Sequence, residues 1–166
     1  MHWSYSPDPN CKGSYRRRIE DIHRALDAVQ IARLPPAVQF VAYFFGCEKL
    51  ANGIVGIAKN RKAEDAYTRH TKINLSCLKE VTPRLGVTFP VDELQYIFAD
   101  KKSDPPVPPP IGTSARMIRN DLSHDFGPFK VSEVGKIANT FFNPKMIQFL
   151  ACSKQVVKYL ERTWVP

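Results

Sequence analysis

Pro36-Ala37-Val38-Gln39-Phe40-Val41-Ala42-Tyr43-Phe44-Phe45-Gly46-Cys47-Glu48-Lys49-Leu50-Ala51-Asn52-Gly53-Ile54-Val55-Gly56-Ile57-Ala58 is the stretch on which the fold turns. Proline at the start suits a first helical turn. Apolar side chains then fall on most sides of the helix that follows, and a helix apolar nearly all round is a buried one. The sequence therefore predicts a central helix at residues 36–58, packed by other helices. Excess apolar surface on it also suits a dimer contact. Gly46, Gly53 and Gly56 each lower its intrinsic helicity by about 1 kcal/mol relative to alanine, a cost that close approach of a neighbour would explain. Glu48 is a carboxylate among apolar neighbours. The simplest expectation is that it reaches an edge or pairs with an arginine; the alternative is that it positions a catalytic group.

Upstream, Tyr15, Ile19, Ile22, Leu26 and Val29 recur at three- and four-residue steps and predict a helix over 15–34. Arg16, Arg17, Arg18, Glu20 and Arg24 are placed on its solvated side. Pro7 and Pro9 make 1–14 an irregular lead. Downstream, 59–72 is polar and basic and reads as a loop or a short solvated helix. Further short helices are predicted over 73–81 and 91–98, with Leu94, Ile97 and Phe98 inward. The run Asp104-Pro105-Pro106-Val107-Pro108-Pro109-Pro110 predicts an extended spacer over 104–112. Thr113 or Ser114 can cap a helix ending near His124 or Asp125, before Gly127-Pro128. A short helix is expected from Ser132. Asn143-Pro144 signals a last helix over 144–164, with Met146, Phe149, Leu150, Val156, Val157, Leu160 and Trp164 inward.

No segment reads as a strand. The predicted fold is all-α: a helical bundle of about four main helices with a long decorated connection, in one domain spanning 1–166. A hydrophobic fraction of 43% is enough for such a core. The most apolar stretch, 38–57, is interrupted by Glu48, Lys49 and Asn52, so no membrane association is expected. The first residues lack a basic stretch followed by an apolar run, so no secretory signal is expected. Cys11, Cys47, Cys77 and Cys152 are far apart without C-x-x-C spacing, which suits separate thiols and a cytoplasmic setting better than a metal site. A net charge of +8 makes polyanions, especially nucleic acids, whether RNA or DNA, plausible partners.

The chemistry-bearing segment is Arg119-Asn120-Asp121-Leu122-Ser123-His124. At about 100° per residue, Ala115, Ile118 and Leu122 share a core face, while Arg116, Arg119, Asn120 and His124 span an arc of roughly 140°. Guanidinium, amide and imidazole on one short helix suit phosphoryl chemistry. The guanidinium grips phosphate oxygens, the imidazole moves protons near neutral pH, and the amide orients either. On spacing alone, a solvated helix end with an ion-paired Arg119 accounts for the same residues.

Arg119-Asn120 followed by His124 resembles the R-x(4–6)-H signature of HEPN domains, including the polar residue after the arginine. The context is similar too: a late helix of an all-α bundle, then a turn and a long helix. The likeness covers 15–164 loosely and the motif over six residues; 59–112 has no counterpart. The resemblance implies an up-down bundle and a homodimer whose two motifs meet. It also implies metal-independent endoribonuclease activity of the toxin–antitoxin, abortive-infection or other defence type, needing neither cofactor nor metal. Arg119 and His124 would be the catalytic pair and Asn120 the supporting residue, with an antitoxin or other protein as a further partner; Arg116, outside the motif but on the same arc, is expected to be an RNA contact. The alternative is a non-catalytic HEPN module that binds RNA, a nucleotide or a protein. Some HEPN toxins carry, two residues after the histidine, a tyrosine that a partner nucleotidyltransferase modifies. Phe126 stands there, without the hydroxyl. Asp125 is expected to be an exposed helix-end carboxylate or a partner of His124.

Overall fold

The computed structural model describes residues 12–58, 73–102 and 106–163. Expectations for 1–11, 59–72, 103–105 and Trp164 lie outside these residues. The described residues are helical with irregular connections and no strand, so the chain is an all-α helical bundle.

Helix α1 spans Lys12–Ala28. It starts before residue 15 and stops before residue 34, because Gln30 takes a left-handed conformation (φ 48°) and a single 3-10 turn follows at Ile31–Arg33. Val29, expected inward, is consequently half exposed. Tyr15, Ile19 and Ile22 are buried as expected. Arg18 is buried as well, against the expectation of a solvated face. Its position three residues after Tyr15 and four before Ile22 places it within the apolar stripe. Arg16, by contrast, pairs at the surface with Glu20 and Glu161.

Helix α2 spans Pro36–Ala58, as predicted, and occupies the centre. It touches α1, α3 (Leu75–Arg84), α5 (Ala115–His124), α6 (Pro128–Ile137) and α7 (Asn143–Ala151). Phe40, Phe44, Cys47, Leu50, Ala51 and Ile54 are all at most 1% exposed. Phe45 is the exception, turned half into solvent. At Gly46 an added Cβ would lie 3.2 Å from Leu150 Cδ2 and 3.3 Å from Leu26 Cδ1. The missing side chain thus lets α1 and α7 close on α2. By length and mean hydropathy alone, Pro36–Ile57 meets the requirement for a membrane span, contrary to expectation. Two charges among twenty-odd residues do not offset so many large apolar ones. Within the bundle, 67% of that window is buried, as befits a core helix.

Asn74 caps α3, its side chain accepting from the amides of Ser76 and Cys77. Pro83 lies inside the last turn of α3 instead of breaking it, and the helix ends one residue later. A 3-10 turn at Val91–Glu93 leads into α4 (Leu94–Phe98), which buries Leu94, Ile97 and Phe98 as expected. Of the proline-rich spacer, 106–112 is a non-helical turn whose Val107 is buried. Tilted and edge-to-face ring contacts run through the core: Phe44 with Phe98, Phe98 with Phe149 and Phe149 with Phe89.

The C-terminal half corrects two expectations. Gly127-Pro128 does not only end α5; it opens α6, with Pro128 at the first turn, four residues ahead of Ser132. Nor does Asn143 cap a new helix. It has helical dihedrals, is buried, and donates its side-chain amide to the Pro36 carbonyl at 3.2 Å. The chain passes from α6 into α7 through one π-helical turn, Ala138–Phe142. A proline inside an α-helix lacks one amide donor and crowds the carbonyl four residues back; the wider π turn just before Pro144 accommodates both. The final predicted helix is instead two, α7 and α8 (Ser153–Thr163), separated at Cys152. Helix α8 packs on α1, where Ser153 Oγ and His23 Nε2 share a hydrogen bond.

Candidate functional site: the face of helix α5

Ser114 begins α5. Its hydroxyl accepts from the Met117 amide at 3.2 Å and donates to the Ala99 carbonyl. The helix is thereby capped and joined to the end of α4 by one side chain. Ala115, Ile118 and Leu122 are buried, which fixes the rotation of α5 as the spacing predicts. The remaining positions are then distributed around the helix, and they do not all reach one place.

Arg119 faces α2. One of its terminal nitrogens lies 3.3 Å from Glu48 Oε1, with both side chains about a quarter exposed. Its guanidinium carbon sits 5.1 Å from the centroid of the Phe44 ring. Its Nε is buried without a hydrogen-bond partner. The carboxylate and the ring hold the guanidinium in place, and Glu48 takes the arginine pairing expected of it.

Arg116 also turns inward, donating to the carbonyls of Ile73 at 3.2 Å and Phe98 at 3.5 Å. With Ser114 on Ala99, two consecutive carbonyls at the end of α4 are thus held from the first turn of α5.

His124 and Asn120 face the other way. They line a hollow of about 330 Å³ together with Met117, Asp121, Asp100, Lys101 and Lys102. His124 is exposed, and Asn120 lies one turn before it, its carbonyl accepting from Ser123 Oγ. The sequence arc thus divides in three dimensions. Asn120 and His124 share a hollow; Arg119 and Arg116 are not part of its lining. Asp125 Oδ1 accepts from the Gly127 amide at 3.1 Å, which turns the chain from α5 into α6. Just beyond His124, Phe126 is 63% and Phe129 76% exposed, the most exposed large apolar side chains among the described residues.

Nothing in the sequence marks Lys101 and Lys102 as site residues. They sit outside any motif, and only the α4–α5 connection brings them to His124. Among the described residues, no three His, Cys, Asp or Glu side chains group as a metal set. Comparison of the chain with protein-family models, with curated proteins and with solved structures gives no match.

Proposed function

We propose that this protein is a metal-independent endoribonuclease of the HEPN type, working as a homodimer on RNA, with His124 as its proton-transfer group. The observation that carries the reading is the shared hollow of Asn120 and His124 on a helix whose opposite face is locked into an all-α core. The net charge of +8 favours a polyanionic substrate.

In the proposed reaction, a ribose 2′-hydroxyl attacks the adjacent phosphorus. A bond from O2′ to phosphorus forms and the bond from phosphorus to O5′ breaks. One imidazole takes the 2′ proton, a second gives a proton to the departing O5′, and nearby cations stabilise the crowded phosphorane. A symmetric dimer supplies both imidazoles. Phe126 and Phe129, exposed directly after the motif, suit the two-fold contact. In this scheme Arg119 acts from the Glu48 side and Asn120 orients His124. A toxin or defence role, with an antitoxin or other protein as partner, follows from the family resemblance, and a cytoplasmic location from four cysteines without paired spacing.

The test is incubation of purified protein with mixed cellular RNA in EDTA, beside His124→Ala prepared identically. The proposal expects cleavage by the native protein alone. Equal cleavage by the variant would remove His124 from the chemistry.

One observation favours the alternative, a non-catalytic module that binds RNA, a nucleotide or a protein. Arg119 is tied to Glu48 and does not line the hollow that His124 lines. Binding without turnover would select this second reading.

A further inference from the structure

We propose that Lys101 and Lys102 form the phosphate grip of the His124 hollow; this rests on reading the hollow as an RNA site. Three observations carry it. First, among the described residues the two lysines are the only Lys or Arg side chains lining the hollow, since Arg116 and Arg119 are engaged elsewhere. Second, their backbone is held in place. The Phe98 and Ala99 carbonyls just before them are bonded to Arg116 and Ser114, and the Lys102 amide donates to Asp100 Oδ1 at 2.8 Å. The short turn from α4 is therefore fixed against the helix that carries Asn120 and His124. Third, both lysines are exposed, so their ammonium groups meet a polyanion without a large desolvation cost.

Two carboxylates line the same hollow. Asp100 is engaged by its own turn, whereas Asp121 is exposed on α5, one turn before Asp125 and beside Asn120. Asp121 opposes phosphate binding, and its removal should tighten it. The inferred arrangement gives Lys101 and Lys102 the non-bridging phosphate oxygens, with His124 left free for the 2′-hydroxyl or the leaving oxygen.

The experiment uses a fluorescein-labelled 2′-O-methyl 12-mer, which has no attacking hydroxyl and stays intact. Its affinity is read by anisotropy across a salt series for the native protein, for Lys101→Ala/Lys102→Ala and for Asp121→Asn. Each lost phosphate contact lowers the salt slope of a single-stranded complex by about 0.7, so the double variant should lose about 1.4. Asp121→Asn should bind more tightly than the native protein, a gain that a misfolded variant could not give. A Lys154→Ala/Lys158→Ala control on α8 should keep the native slope. If the native protein binds, and the double lysine variant keeps its slope, this inference fails. In that case, cleavage still lost in His124→Ala would leave the proposed ribonuclease standing. A reduced slope in a protein that cuts no RNA would support the grip and overturn catalysis. Absence of any binding by the native protein would overturn the grip, and absence of RNA cleavage as well would overturn both.

Discussion

Arg119 and His124 are five positions apart on one helix, yet they answer to different neighbours. Arg119 leans on Glu48 and Phe44, while His124 opens into the hollow under Lys101 and Lys102. Replacing Glu48 with alanine leaves a partly buried guanidinium without its carboxylate. We expect that to cost about 1–3 kcal/mol of stability, read as a lower melting temperature. A melt unchanged within error would mean that the pair holds nothing. His124→Ala should change stability by less than about 0.5 kcal/mol, because the ring is exposed. Any loss of activity in that variant then belongs to chemistry. At this scale the sequence shows which residues stand on the polar arc of α5, because helical geometry alone sets it. It does not show their partners. Glu48 comes from 71 positions earlier, and the lysine pair depends on how the α4–α5 turn is stapled.

Helix identity follows from the apolar period, and helix ends follow from local chemistry, with mixed results. The sequence offers Thr113 or Ser114 as the cap, and the structure selects Ser114, the residue directly before the helix. Ser114→Ala should cost about 1–2 kcal/mol through the lost cap, and should also release the Ala99 carbonyl that anchors the lysine turn. Thermal melting and the RNA salt slope should fall together. Gly46 explains how α1 and α7 approach α2, so Gly46→Val should destabilise by about 1–3 kcal/mol through overpacking. A neutral result would show that Leu150 and Leu26 can move aside. Prolines are where the reading of ends goes astray. Pro128 serves as a start where Gly127-Pro128 suggests a stop, and Pro144 is carried inside a helix by the π turn before it. A proline marks a boundary only when no neighbouring turn absorbs its missing amide, which depends on packing.

Across the molecule, the all-α bundle is legible because the 36–58 stretch is apolar on most sides and must be covered by other helices. What surrounds it is less so: no sequence signal marks the helix break at Cys152 or the packing of α8 on α1. Burial of that region also has a pH signature. Burial pushes the Cys47 thiol well above its ordinary value of 9.0, with Cys152 adding to the effect, and burial raises Cys152 as well. A raised thiol favours the protonated form in the fold. Its stabilising effect is therefore complete below the ordinary thiol value and is lost as pH rises above it. Melting temperature should fall above about pH 9, and Cys47→Ser or Cys47→Ala should flatten that fall. A slope unchanged by these variants would assign the alkaline loss to other groups.

The proposed activity is tested most directly by the ends it leaves. Native protein should be incubated with a defined single-stranded RNA in EDTA, and the termini of the fragments identified by mass spectrometry, with His124→Ala in parallel. The account predicts a 2′,3′-cyclic phosphate on one fragment and a 5′-hydroxyl on the next, with neither formed by the variant. Fragments ending in 3′-hydroxyl and 5′-phosphate, or the same cyclic phosphate from the variant, would contradict 2′-hydroxyl attack at the His124 site.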